Sequence, residues 1–399
     1  MLSRRMCLIG KICSFVSLLS ISGYFFWKKK ENDPSVELLT TTTEKLLNYD
    51  YCNCNGENFC FHGLDAEGKV TLGKQFDCSL YSGLQQFALT QEHVDNATND
   101  YEHLNPETWQ PVFITSVSDD HFPEARRLIQ SLNQFYPNSR IIMYDLGLSD
   151  KKINELITWC NVEYRKFDFS KYPQHVSQLL TYAFKLLILE ALQEHKTFFY
   201  LDSSARLTGR NLDTFLRAVK EGRLMPLSTH GFTTHIGSLT SPFTLLISEM
   251  YDYVPISFNL LQMTEIQSTM FLSDSSYTRK ILKWFYLCAM TEECIAPKGS
   301  IRHCALNEYP TYYSNIYLNC HRFDQAFWNL YSLAFMFGED RGAVKLNYTN
   351  PWIELNSTVI EEVEQNRAAS MNPISSLLDI RRKNGLQRRL KLECPKFQT

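Results

Sequence analysis

Two rhythms of apolar and polar residues alternate along the chain between about residues 108 and 345. Strand-sized apolar or alternating runs occur in "PVFITSVS", "SRIIMYDLG", "VEYRKFDF" and "TFFYL". Between them the period lengthens to that of a helix. In "FPEARRLIQSLNQFYP", Ala125, Leu128, Ile129 and Leu132 fall on one face, and in "SDKKINELITWC" a serine precedes Ile153, Leu156 and Ile157. A third helix is predicted from about Leu179 to His195. Strands alternating with helices of this length predict an α/β fold with a mostly parallel sheet flanked by helices. Further on, "RKILKWFYLCAM" places Ile281, Leu282, Phe285 and Cys288 at core spacing.

In such sheets ligands bind beyond the carboxyl ends of the strands. Three of the predicted strands end on aspartates there: Asp119 with Asp120, Asp145, and Asp202. Helix caps and turns place aspartates at the same positions, and for Asp119 and Asp145 that reading is favoured. No phosphate-binding loop, dinucleotide glycine fingerprint, nucleophile elbow or His-Glu-x-x-His pattern is present.

A different pattern opens the chain. Residues 6–27, "MCLIGKICSFVSLLSISGYFFW", form an apolar run long enough to cross a bilayer as a helix. Lys11 lies near one end, where it can snorkel to the interface. Bulky Tyr24, Phe25, Phe26 and Trp27 end the run where a small-x-small cleavage site would stand, so an uncleaved signal anchor is expected. Cys7 and Cys13 lie within it, and ten of the twelve cysteines lie outside. "CNCNGENFC" with Cys78 forms one cluster, and Cys288, Cys294, Cys304 and Cys320 form another. Their spacings match no zinc ribbon, which favours disulfides over zinc and leaves the pairing open. Sequons at Asn96, Asn347 and Asn356 point the same way, to an oxidising lumen.

The expected layout is a cytosolic tail (1–5), a transmembrane anchor (6–27), a lumenal stem with a cysteine cluster (28–107), an α/β domain (108–345) and a C-terminal extension (346–399). The net charge of −3 gives no electrostatic case for a nucleic-acid partner.

The stretch "TYAFKLLILEALQEHKTFFYLDSS" resembles the hallmark of GT-A-fold glycosyltransferases, in particular the glycogenin and galactosyltransferase-like group. There a Tyr-x-Arg/Lys-Leu helix precedes a "YLDxD" strand end, and the matching residues are Tyr182, Lys185, Leu186, Tyr200, Leu201 and Asp202. Downstream, "DQAFWN" carries the Asp-Gln-x-x-x-Asn spacing of that group on Asp324, Gln325 and Asn329. From about Val112 to Phe337 the chain also resembles an uncharacterised, nematode-rich invertebrate family of membrane-protein domains, which brings no activity with it.

The first resemblance implies a GT-A-like (Rossmann-like) domain that takes a nucleotide sugar. Donor binding then falls to Thr115, Ser116, Asp145, Tyr182, Lys185, Asp202 and Ser204, and acceptor alignment or acid/base work to Asp324 and Gln325. Asp202 would be the metal ligand, for manganese or magnesium. Ser204, however, stands where the pattern has its second acid, and the closing histidine motif of that group is not evident. Two readings follow. One is a single-pass type II membrane glycosyltransferase of the Golgi or endoplasmic reticulum lumen, or of the cell surface, acting on a glycan or protein acceptor. The other is a catalytically inactive GT-A-like binding protein.

Overall fold

The computed structural model describes residues 50–64, 70–98, 101, 103–105, 108–207, 212, 216, 220, 227–228, 248–255, 270–300, 321, 323–328 and 392. The apolar run 6–27, the sequons at Asn347 and Asn356, and Asn329 lie outside these residues. Among the described residues no helix is long and apolar enough to cross a membrane. The chain divides into two compact units, Met1–Tyr51 and Cys52–Thr399, and every element below belongs to the second.

Among the described residues its centre is a six-stranded sheet. The strands are β1 (Val112–Val117), β2 (Arg140–Asp145), β3 (Val162–Lys166), β4 (Thr197–Asp202), β5 (Leu227–Ser228) and β6 (Met270–Ser273). They lie in the order β3-β2-β1-β4-β6-β5. The first four are parallel, whereas β6 runs antiparallel to both β4 and β5. The chain steps outward from β1 to β3 and then returns across β1 to lay down β4. The gap beyond the carboxyl ends of β1 and β4 is therefore the topological switch point, where open α/β sheets hold ligands.

Alternation along the strands divides the core. Ile114, Ile142, Tyr144, Phe198 and Tyr200 face one way, with Leu186, Leu187, Leu282 and Phe285 packed over them. Phe113, Met143, Phe199 and Leu201 face the other, against Leu128, Ile129 and Leu132. The latter three belong to helix α1 (Phe122–Phe135), which starts with a proline in its first turn, where a missing N–H costs nothing. Helix α2 (Asp150–Leu156) follows β2 as the periodicity predicts. Helix α4 (Ser276–Met290) is capped by Ser275, whose hydroxyl accepts from the Thr278 amide at 3.0 Å.

The third predicted helix differs from expectation. Only Leu187–Glu194 is α-helical (α3), and residues 179–186 form two short 3-10 turns, Leu179–Thr181 and Ala183–Leu186. Tyr182, between them, is left-handed at φ 57°. A residue in that conformation cannot carry an α-helical ladder, and for a non-glycine it costs roughly 1–3 kcal/mol.

The cysteine-bearing segment, expected as part of a stem, is packed into the body from Cys52 onward. Phe59, Phe61, Phe76, Leu84 and Phe87 share the core face of Tyr200 and Leu187. Two small hairpins, Asn53–Cys54 with Glu57–Asn58 and His62–Leu64 with Val70–Leu72, build it. Disulfides Cys52–Cys60 and Cys54–Cys78 staple it, Cys288–Cys294 closes the end of α4, and Cys160 is also disulfide-bonded. Beneath the staples Glu57 pairs with Lys283 of α4 at 2.7 Å, both side chains being buried. Nothing in the sequence signalled this pair, because its members are 226 positions apart.

Candidate functional site

Asp202 ends β4, and its register partner on β1 is Ser116. Both side chains therefore leave the sheet on the same face as Tyr200, whose hydroxyl lies 3.2 Å from the Ser116 hydroxyl. The left-handed turn at Tyr182 redirects the chain so that Lys185 runs beneath this strand end. Its ammonium lies 3.2 Å from Asp202 Oδ1 and 2.6 Å from Asp324 Oδ2. Asp324 opens the helical residues 324–328. Three charged groups from distant parts of the sequence thus meet at the switch point of the sheet.

The cluster is graded in depth. The Lys185 and Asp324 side chains are 1% and 3% exposed, whereas that of Asp202 is 25% exposed. The ammonium also sits over two rings, 5.3 Å from the centroid of Tyr200 and 5.7 Å from that of Tyr182. Burial alone would discharge Lys185, but the carboxylates of Asp202 and Asp324 outweigh it and raise its pKa well above 10.5. The lysine is thus permanently charged at neutral pH. Burial, and next the Asp202 charge, raise the Tyr200 phenol, which stays protonated. One ammonium between two carboxylates leaves the group with a net negative charge, presented to solvent through Asp202.

Not every expected residue joins this group. Thr115 is fully buried and faces the opposite side of the sheet, level with Met143 and Leu201. Asp145 pairs with Val117 and so shares the face of Thr115. Its carboxylate is occupied by the turn that follows β2: Oδ1 accepts from the Gly147 and Leu148 amides at 2.7 and 2.6 Å, and Oδ2 from the Tyr164 hydroxyl at 2.9 Å. The structure therefore separates both residues from the cluster, and the turn reading describes Asp145. Asp119 is likewise a tie, accepting from the Ser149 amide and from Lys152 of α2. Tyr182 and Gln325 are half-buried beside the cluster residues, Ser204 is buried in the turn after β4, and Asn96 is exposed at the end of helix Gln91–Asp95. His321 is buried, with Nε2 3.0 Å from the Ile295 carbonyl.

Divalent manganese or magnesium needs several hard oxygen ligands around one point. At the cluster the two carboxylates converge on an ammonium instead, and a buried hydroxyl, Ser204, occupies the position two residues after Asp202. Among the described residues no group of three histidine, cysteine, aspartate or glutamate side chains converges on a common point. As arranged, this donor set does not fit a divalent cation.

Fold and site together define an α/β protein with a buried lysine–dicarboxylate cluster at its sheet switch point. Residues 51–190 match the model of a family described as a protein of unknown function, DUF1647. The match takes in the stapled hairpins, β1 to β3 and Lys185, and stops short of Asp202. No curated protein matches the chain by sequence. Among solved structures, the chain is similar to the galactosyltransferase LgtC in complex with donor and acceptor sugar analogs, at 11% identity over 43% of this chain and 63% of that one, with a TM-score of 0.28. It is similar to apo mouse xyloside xylosyltransferase 1 at 11% identity over 57% and 82%, with a TM-score of 0.33. A third is core-mannan synthase A from Aspergillus fumigatus in a Mn/GDP form, at 10% identity over 46% and 57%, with a TM-score of 0.24. The chain spans less than two thirds of the galactosyltransferase. With scores of this size, these likenesses set neither the fold nor the activity of the chain.

Proposed function

We propose that this protein is a single-pass type II membrane glycosyltransferase of the secretory pathway, moving a sugar from a nucleotide-sugar donor to a glycan or protein acceptor. The observation that carries the reading is the meeting of Lys185, Asp202 and Asp324. The two sequence stretches that resemble glycosyltransferase motifs supply these three residues, and the fold brings both carboxylates within 3.2 Å of the Lys185 ammonium at the switch point of the sheet. The disulfides support a lumenal body, and the apolar run 6–27 supports the anchor.

Within this reading Asp202 is the group that touches ligand, its exposed carboxylate accepting from a donor hydroxyl. Lys185 and Asp324 are positioning residues: both are buried, and each is engaged by the other. Ser116 and Tyr200 form the floor beside Asp202, and Tyr182 the wall. Binding of a panel of nucleotide sugars to the full-length protein tests the proposal, with turnover followed by release of nucleoside diphosphate. At least one donor is expected to bind, and Asp202→Asn is expected to abolish turnover. No binding across the whole panel, with and without manganese, would sink it. The full engagement of Lys185 by two carboxylates favours a second reading, an inactive glycan-binding protein, for which glycan binding without any turnover is the signature.

A further inference from the structure

The cluster has the form of an ammonium cage. Its inner wall consists of two carboxylates, Asp202 and Asp324, at 3.2 and 2.6 Å from Lys185 Nζ. Its remaining walls are the faces of Tyr182 and Tyr200. Aromatic faces attract an ammonium but offer no lone pair to a hard divalent ion, which wants six or more oxygens. A divalent ion taken up by Asp202 would also stand beside the buried Lys185 ammonium, 3.2 Å from that carboxylate. Asp324, the carboxylate that offsets the lysine, is buried and engaged by it at 2.6 Å, and Ser204 contributes no charge where an acid would have been two residues beyond Asp202.

We propose that the Lys185 ammonium takes the place of a divalent cation in this site, so that a nucleotide sugar is held there without metal. Lys185 fixes the Asp202 carboxylate from below, leaving its outward oxygen to accept from the ligand. The proposal rests on the glycosyltransferase reading for the identity of the ligand. The mismatch with metal is read from the side chains alone.

Manganese alone, titrated into the full-length protein and followed by the electron paramagnetic resonance signal of the free ion, tests it directly. The wild-type titration is expected to superimpose on a protein-free control. A variant carrying Lys185→Gln and Ser204→Asp, which removes the ammonium and supplies the second acid, is expected to bind the ion at least about tenfold more tightly than wild type. Should that variant fail to fold by circular dichroism, the wild-type titration and the second arm below decide the proposal. Saturable binding by wild type that Asp202→Asn removes would overturn the proposal, as would a folded variant that binds no better than wild type. In a second arm, the affinity for uridine or guanosine diphosphate is expected to change less than twofold between chelator and manganese. Affinity that requires manganese overturns the proposal. If neither diphosphate nor any nucleotide sugar binds under either condition, the transferase reading fails, and the manganese titration still decides this one.

Discussion

Lys185 and Asp324 are 139 positions apart in the chain and 2.6 Å apart in the structure, almost fully shielded from water. A buried ion pair of this kind contributes little net stability as a pair, but losing one partner strands the other. Lys185→Met would leave Asp324 and Asp202 facing each other as carboxylates. We expect a loss of about 3–5 kcal/mol at neutral pH, read from the denaturant midpoint. The loss should shrink as pH falls, because protonating either carboxylate relieves the repulsion. In the wild type the sign is opposite and the window alkaline. Lys185 is raised above its unfolded 10.5, so its contribution is complete below 10.5 and is lost only as pH rises through the folded value.

The Glu57–Lys283 pair predicts a second pH effect. Burial, opposed by Glu57, lowers the Lys283 pKa below 10.5. Glu57→Gln would deepen that depression and cost about 3–5 kcal/mol at neutral pH. An unfolded chain holding a proton that the folded chain has released gains nothing from higher pH. The gap to wild type should therefore narrow as pH rises toward 10.5. Adding Lys283→Met to Glu57→Gln should recover part of the loss. A gap that is flat with pH would show that Lys283 is not the stranded charge.

At Gly63 the second hairpin of the cysteine-bearing segment, His62–Leu64 with Val70–Leu72, approaches residues 253–255 backbone to backbone. An added Cβ would stand 1.7 Å from the Pro255 carbonyl oxygen. No side-chain rotation relieves a contact with backbone, so Gly63→Ala must displace the hairpin. A loss of about 3 kcal/mol or more is expected, measured by chemical denaturation with disulfides intact. A neutral Gly63→Ala would mean that the hairpin is not docked on residues 253–255.

Asp119 is exposed, yet its carboxyl is held at about 2, below its ordinary 3.8, first by Lys152 and then by the Ser149 amide. Its contribution is present above 3.8 and disappears as pH falls through 2. The stability difference between wild type and Lys152→Ala should hold steady down to about pH 4 and close by about pH 2. A difference unchanged at acid pH would assign it to other contacts of Lys152.

Much of this architecture was legible in the sequence because it is periodic. The strand and helix rhythms of residues 112–166 and 187–202 became β1 to β4 with α1, α2 and α3, since burial of one face and local hydrogen bonding favour the same element. Asp202 and Asp324 stood out because two separate stretches resembled one family pattern. The helix expected from Leu179 failed at Tyr182: apolar spacing over eight residues does not distinguish an α-turn from 3-10 turns that bury the same side chains. Within the segment expected as a stem (28–107), the packing of residues from Cys52 onward was not legible, because aromatics such as Phe59 and Phe76 have no period of their own. They are buried against the body instead.

The sequence by itself determined which residues end strands, and so placed Thr115, Ser116, Asp145 and Asp202 at one edge of the sheet. Tertiary structure decided which of them meet. Successive residues of a strand point to opposite faces, so register alone sent Ser116 and Asp202 to the side of Lys185, and Thr115 and Asp145 to the other. The charge state of the cluster was decided the same way. Lys185 carries the features of a solvated helical lysine in sequence. It becomes a fixed buried cation only because β4 and the helical residues 324–328 bring two carboxylates to it, in a space from which water is excluded.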